Sequence, residues 1–277
     1  IPIVVGTICS SVTLAMGPIV QENNSLIISS GASNPKIADY SNIFRTWPSD
    51  TLQGKILAKF VKQSLHLDEV AIIYINNDYG VGVKDVFKKH FIEQGGKILI
   101  EESVPESVID AKTQITKIKS KNPKGVFIAT YGKEMGTILK QAKELGLSSQ
   151  FFGGDVVGDD SVINLSSGGA EGLMASASSI NDNKKRTSFL NSFKEEFGEN
   201  PGVTGDAAFD ILFLLKNVIE DGKCDFTDVT CIKNKLQKIN NFEGVTGEIS
   251  FDQNGDLLDK KYDFFQVKNG QFVPYEE

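Results

Sequence analysis

Along most of the chain, short apolar runs alternate with longer amphipathic stretches. IPIVVG, SLIISSG, VAIIYIN, KILIEESV, GVFIATY and SQFFGGD are rich in Val, Ile and Phe and are bounded by Gly, Ser, Asn or Asp. They read as buried strands. Between them, LAMGPIVQENN, SDTLQGKILAKFVKQSL, VGVKDVFKKHFIEQG, DAKTQITKIKSKN and KEMGTILKQAKELG carry apolar residues at helical spacing. Ser49 or Asp50 is the candidate N-cap of the second helix, and Gly95-Gly96 ends the third. Strand–helix alternation with such strands predicts an α/β fold of parallel sheets with helices on both faces.

After about residue 178 the pattern changes. KKRTSFLNSFKEEFG is an amphipathic helix, DAAFDILFLLKNVIEDG a strongly apolar one that must be buried, and TCIKNKLQKI a third. The tail GEISFDQNGDLLDKKYDFFQVKNGQFVPY predicts three short antiparallel strands with turns at DQNGD and KNG.

The length of 277 residues suits two modest domains. No apolar run approaches the roughly 18–20 residues of a spanning helix. A net charge of -7 with dispersed lysines gives no basic footprint for nucleic acid. Residue 1 already lies in a predicted strand, so no signal peptide is read, and a matured secreted protein carries none. Cys224 and Cys231 bracket a polar loop in DGKCDFTDVTCIKNKL. The spacing fits a loop-closing disulfide, hence an oxidising compartment; two free thiols or half a metal site are the other readings. Cys9 is then odd in number, as a buried thiol or one without its partner.

Five stretches fall just past predicted parallel strands: GTICSS, SSGASNP, INNDYGVG, ATYGKEMG and GGDVVGDD. Ligands of doubly wound sheets collect at such ends. Ser10, Ser11, Ser30 and Ser33 offer hydroxyls, and the turns offer backbone N–H groups suited to a carboxylate. Tyr79 and Tyr131 offer flat amphipathic walls, and Asp155 an anion suited to an ammonium. Together these describe a site for a zwitterion. Each also has a plain structural reading: a turn, a packing tyrosine, a helix cap in which Asp159 or Asp160 rivals Asp155.

Enzyme readings fare worse. His66 and His90 lie on helices, away from the strand ends, so a serine or cysteine nucleophile has no base. Cys9 sits in an apolar context without a cation. No P-loop and no GxGxxG follows a strand. DQNGDLLDKKYD lacks the glycine at position six and the glutamate at position twelve of a calcium loop and reads as a hairpin turn, and GGDVVGDD lacks further acidic strand ends to hold a metal.

The ordered set VVGTICSSVT, LIISSGASNP, IFRTWPSDTLQGKILAKFV, VAIIYINNDYGVGV, KGVFIATYGKEMGTILKQAKELGL, QFFGGDVV, AEGLM and GEISFDQNGDL resembles the periplasmic leucine/isoleucine/valine-binding proteins, the type I solute-binding proteins of ABC transporters. The resemblance runs from residue 3 to about residue 267. It implies two flavodoxin-like α/β lobes joined by three hinge strands, closing on a ligand like a Venus flytrap. Lobe one is expected at 1–48 plus 178–245 and lobe two at 49–177 plus 246–277, with hinges near Trp47-Pro48, Ala177 and Val245-Thr246. Family members carry roughly two further βα units before the point where this sequence starts, including in several relatives a cysteine that pairs at the position of Cys9.

By the resemblance, Ser10 and Ser33, with Ala32 in the same turn, stand where the amino-acid carboxylate binds. The Gly31 carbonyl and the Asp155 carboxylate stand where the ammonium is held, although branched-chain binders have glutamate at the latter position. Tyr79 and Tyr131 stand at the aromatic walls of lobe two. Thr204 falls near a position that is aromatic in branched-chain binders, which widens the expected ligand from aliphatic to small polar amino acids. The expected setting is periplasmic or cell-surface, with a membrane permease as partner, no cofactor, no metal and no catalysis. A sensor domain for amides or small carboxylates is the alternative on the same fold.

Overall fold

The computed structural model describes residues 1–180 and 183–276. The chain divides into two compact units, one of residues 1–49 and 179–261, the other of 50–178 and 262 onward.

In the first unit β1 (Ile3–Val5), β2 (Leu26–Ser29) and β3 (Ile43–Arg45) form a parallel sheet in that order. Alternate side chains serve opposite faces. Ile27 and Ile43 pack with Val20 of α1 (Ser10–Glu22) and Ile37 of a short 3₁₀ turn (Pro35–Asp39). Ile3, Leu26, Ile28 and Phe44 pack with residues of α8 (Gly205–Lys216) and α9 (Val229–Leu236). Burial of this kind contributes roughly 25 cal/mol per Å² of apolar surface, so the continuous apolar strands, not local propensity, hold the sheet. The apolar DAAFDILFLLKNVIEDG stretch is α8 followed by one π turn at Asn217–Asp221. α7 (Lys184–Phe197) is capped by the Asn183 carboxamide, which accepts from the Arg186 N–H at 2.8 Å. Cys224 and Cys231 are disulfide-bonded, and Cys9 is free and exposed.

The tail differs from expectation. β9 (Phe242–Gly244) and β10 (Gly247–Ile249) pair with each other in the first unit, and Ile249 and Phe251 enter its core. Residues 246–261 therefore belong with lobe one, and the chain leaves it between Lys261 and Tyr262, not at Val245-Thr246. Packing of two apolar side chains outweighs the simple hairpin succession read from the sequence. DQNGD is a turn held by the Asp252 carboxylate, which accepts from Asn254 and Asp256 N–H at 2.8 and 2.9 Å.

The second unit is built on a seven-stranded sheet. β5 (Lys97–Val104), β4 (Glu69–Ile75), β6 (Gly125–Ala129), β7 (Gln150–Gly154) and β8 (Met174–Ser178) are parallel neighbours in that order. β11 (Tyr262–Lys268) and β12 (Gln271–Pro274) extend it antiparallel beyond β8. One face packs on α2 (Asp50–Gln63) and α3 (Asp78–Glu93), through Leu57, Val61, Phe87 and Phe91. The other packs on α4 (Lys112–Ser120), α5 (Gly132–Glu144) and α6 (Asp160–Ser166), through Ile115, Ile138, Leu139 and Val162. The order 5-4-6-7-8 reverses direction between β4 and β6. That is the switch point at which open α/β sheets present ligand crevices.

Candidate functional site

The predicted residues fall into two sets, one on each unit.

In the first unit the turn after β2 is held from three sides. The Ser29 hydroxyl donates to the Thr7 carbonyl at 2.6 Å and accepts from the Ala32 N–H at 3.0 Å. The Ser10 hydroxyl oxygen accepts from Ser33 and Asn34 N–H at 3.3 and 3.2 Å. The buried Arg45 guanidinium donates to the Asn34 carbonyl at 2.9 Å and forks onto Asp256 at 2.6 and 2.7 Å. Ser10, Ser30, Ala32 and Ser33 are all buried. Ser10 thus ties the turn as well as opening α1, whose first-turn N–H groups lack intrahelical acceptors and favour an anion. Cys9 occupies the cap position without a side-chain cap bond. Gly31 is closely approached: a Cβ there would lie 2.8 Å from an Ile8 methyl and 3.1 Å from the Thr204 methyl. Thr204, at the start of α8, is therefore a neighbour of the turn.

In the second unit Tyr79 and Tyr131 stand after β4 and β6, on either side of the switch point. Their rings stack with centroids 5.1 Å apart and planes 9° from parallel. Tyr79 is buried in the first turn of α3, where Asn77 accepts from the Gly80 N–H at 3.0 Å. Tyr131 is more than a third exposed, and its hydroxyl receives the Asn77 amide at 3.3 Å. Asp155 follows β7 in the left-handed region, φ 52°, and its N–H donates to the Ser176 carbonyl at 2.9 Å. The helix after it is capped by Asp159, which accepts from the Ser161 N–H at 3.0 Å, so Asp155 is not that cap.

Tyr79 loses its proton only well above the ordinary phenol range. Burial is the main cause, followed by the negative charges of Asp155 and Asp50 and by Tyr131. The fields of two carboxylates thus reach a neutral aromatic wall, which suits a cation with an apolar flank. Asp50, wholly buried at the start of α2, was read from the sequence only as a cap. Its signal lay in the spacing: Asp50, Gln53, Gly54, Leu57, Ala58 and Val61 form one buried helical stripe whose first members are polar.

A separate groove of about 930 Å³ in the first unit, between α7, α8 and β9, is lined by Phe189, Phe193, Phe197, Phe209 and Phe213. Its lining is mostly apolar, with Lys184, Lys185, Asp210 and Glu243 among it, and includes none of the site residues singled out from the sequence.

A chain of two α/β units, one carrying an anion-favouring turn and the other an aromatic and acidic face at its switch point, has the architecture of a solute-binding protein. It belongs to the family described as periplasmic binding proteins, whose profile matches residues 1–271. It is 29% identical over 265 residues to the leucine-, isoleucine-, valine-, threonine-, and alanine-binding protein of Pseudomonas aeruginosa, covering 94% of this chain and 69% of that protein. It is 28% identical over 270 residues to the leucine-specific-binding protein of Salmonella typhimurium, covering 95% and 71%. Among solved structures, a leucine binding protein from Thermotoga maritima superposes with a TM-score of 0.89 at 26% identity, over 100% of this chain and 79% of that one. No helix among the described residues is long and apolar enough to cross a membrane.

Proposed function

We propose that this chain is an extracytoplasmic solute-binding protein of an ABC transporter that takes up an amino acid, branched-chain, other aliphatic or small polar. In this reading the carboxylate goes to the N–H groups and hydroxyls around Ser10 and Ala32–Ser33, and the Gly31 carbonyl shares the ammonium with Asp155. Tyr79 and Tyr131 flank the ligand. Each unit in this reading offers its own set of groups to the ligand. The observation that carries the reading is the stack of Tyr79 on Tyr131 after neighbouring strand ends, with the Asp155 and Asp50 charges acting on Tyr79. That acidic face favours an amine-bearing ligand over the amides or small carboxylates of the alternative sensor reading. The disulfide fits an oxidising, extracytoplasmic compartment, and the protein's partner is then a membrane permease. The names of the Pseudomonas and Salmonella relatives support the ligand class, and Thr204 beside the turn supports a pocket wider than leucine alone needs.

The test is a thermal-shift screen against the twenty amino acids, with amides and small carboxylates alongside. Ligand at a hundred times Kd adds about 2.7 kcal/mol to the folded state. An amino-acid-specific rise in midpoint, lost in Asp155→Ala, is expected. A rise with carboxylates or amides only, or one that Asp155→Ala leaves intact, would overturn the assignment.

A further inference from the structure

Behind the acidic face of the second unit lie polar groups that hold nothing. Gln53, in the first turn of α2, is wholly buried, and neither its Nε2 nor its Oε1 has a hydrogen-bond partner. Ser176 on β8 is also wholly buried, and its Oγ too has none. The two are gathered around one short piece of backbone. The Gln53 amide presses on Gly154, where a Cβ would lie 2.7 Å from Nε2. Gly154 pairs with Ser176 across the β7–β8 ladder. The next residue is Asp155, whose N–H donates to the Ser176 carbonyl. An apolar side chain would be cheaper at either position, because burying an amide or hydroxyl without a partner costs desolvation that nothing returns. Polar groups kept at such a cost mark functional positions.

We propose that Gln53, aided by Ser176, is a positioning residue for Asp155. The inference rests on the reading of Asp155 as the ammonium acceptor. When an ammonium pairs with the Asp155 carboxylate, the carboxylate takes up one fixed orientation and needs donors behind it. The Gln53 Nε2–H and the Ser176 hydroxyl are the donors stationed beside that backbone, and Gly154 lacks a side chain so that the amide can approach it. Gln53 does not touch the ligand in this scheme; it acts through Asp155.

The experiment uses the full chain with Gln53→Met and, as a second and smaller change, Ser176→Ala. L-leucine and its des-amino analogue isocaproate are titrated calorimetrically, and urea midpoints are measured without ligand. A structural role predicts that stability and affinity fall together. The positioning role predicts opposite signs: the Gln53→Met midpoint holds or rises, and leucine affinity drops about tenfold, or about 1.4 kcal/mol. Ser176→Ala follows in the same direction with a smaller drop and carries the comparison if Gln53→Met does not fold. The preference for leucine over isocaproate falls in both. Unchanged leucine affinity, equal losses for leucine and isocaproate, or a fall in midpoint that tracks the fall in affinity overturns the proposal while the amino-acid reading stands. A wild-type chain that takes up isocaproate but not leucine overturns both.

Discussion

The turn that carries Gly31–Ser33 depends on a single buried cation, and removing its counter-ion should unfasten it. Arg45 is wholly buried, forks onto Asp256 at 2.6 and 2.7 Å, and reaches the Asn34 carbonyl at 2.9 Å. Asp256 keeps 18% of its side chain exposed. In Asp256→Asn the guanidinium stays buried with carbonyls as its remaining acceptors. Breaking a buried ion pair from one side costs about 3–5 kcal/mol, and the partial exposure of Asp256 places this pair at about 3. The protein's one tryptophan, Trp47, lies two residues from Arg45, so its fluorescence reports on this unit. With a urea slope of about 2 kcal/mol/M, the midpoint should fall by about 1.5 M without a change of slope. Arg45→Lys should recover little, since an ammonium cannot fork onto the carboxylate. The double variant Arg45→Met/Asp256→Leu should be more stable than Asp256→Asn, because it leaves no buried charge unpaired. A loss under about 1 kcal/mol in Asp256→Asn, or a double variant as unstable as the two single changes added together, would refute the reasoning.

Two further outcomes follow from features elsewhere. Cys224 and Cys231 are seven residues apart, and closing a loop of about eight residues is worth about 2.5 kcal/mol by chain entropy; reduction, or Cys224→Ser/Cys231→Ser, should lower the unfolding free energy by that order, and a loss near zero counts against an entropic role. Glu101 is partly buried, which alone would raise its pKa, but hydrogen bonds from Lys88 and Lys84 outweigh this and hold the carboxyl below its usual range. Its folded pKa is depressed, so its stabilisation is present above the unfolded value of about 4.3 and is lost as pH falls through the folded one. Glu101→Gln should cost about 0.5–1 kcal/mol near neutrality and almost nothing near pH 3; a difference between the two proteins that ignores pH would contradict the assignment.

What could be read from the chain follows from how each segment is buried. VAIIYIN, GVFIATY and the QFFGG strand are covered on both sides, so their apolar runs are long and unbroken and reveal themselves. β3 is three residues long and ends in Arg45, and β8 is MASAS, short and small, so neither has a run to find. The places of Tyr79, Tyr131 and Asp155 just past strands were legible because strand ends are predictable, and the structure sets the two tyrosines face to face across the switch point. Asp50 and Gln53 were not, because a polar residue in a first helical turn ordinarily signals capping. Only the buried stripe they begin distinguishes them. The Arg45–Asp256 pair joins residues 211 positions apart, a separation no local pattern can bridge.

The chain passes from one unit to the other after Ser49, after Ser178 and after Lys261. This interleaving sets a timetable for synthesis. Ile3, Leu26 and Phe44 are translated roughly 200 residues ahead of Ile249 and Phe251, which the same core also needs. At about 5–20 residues per second, those first strands wait about ten to forty seconds for their partners. Meanwhile β8 stands without β11 until residues 262–268 are made. The first core therefore stays open until Ile249 and Phe251 have emerged, and the second sheet until β11 has, so the nascent polypeptide carries open apolar sheet through the making of everything between.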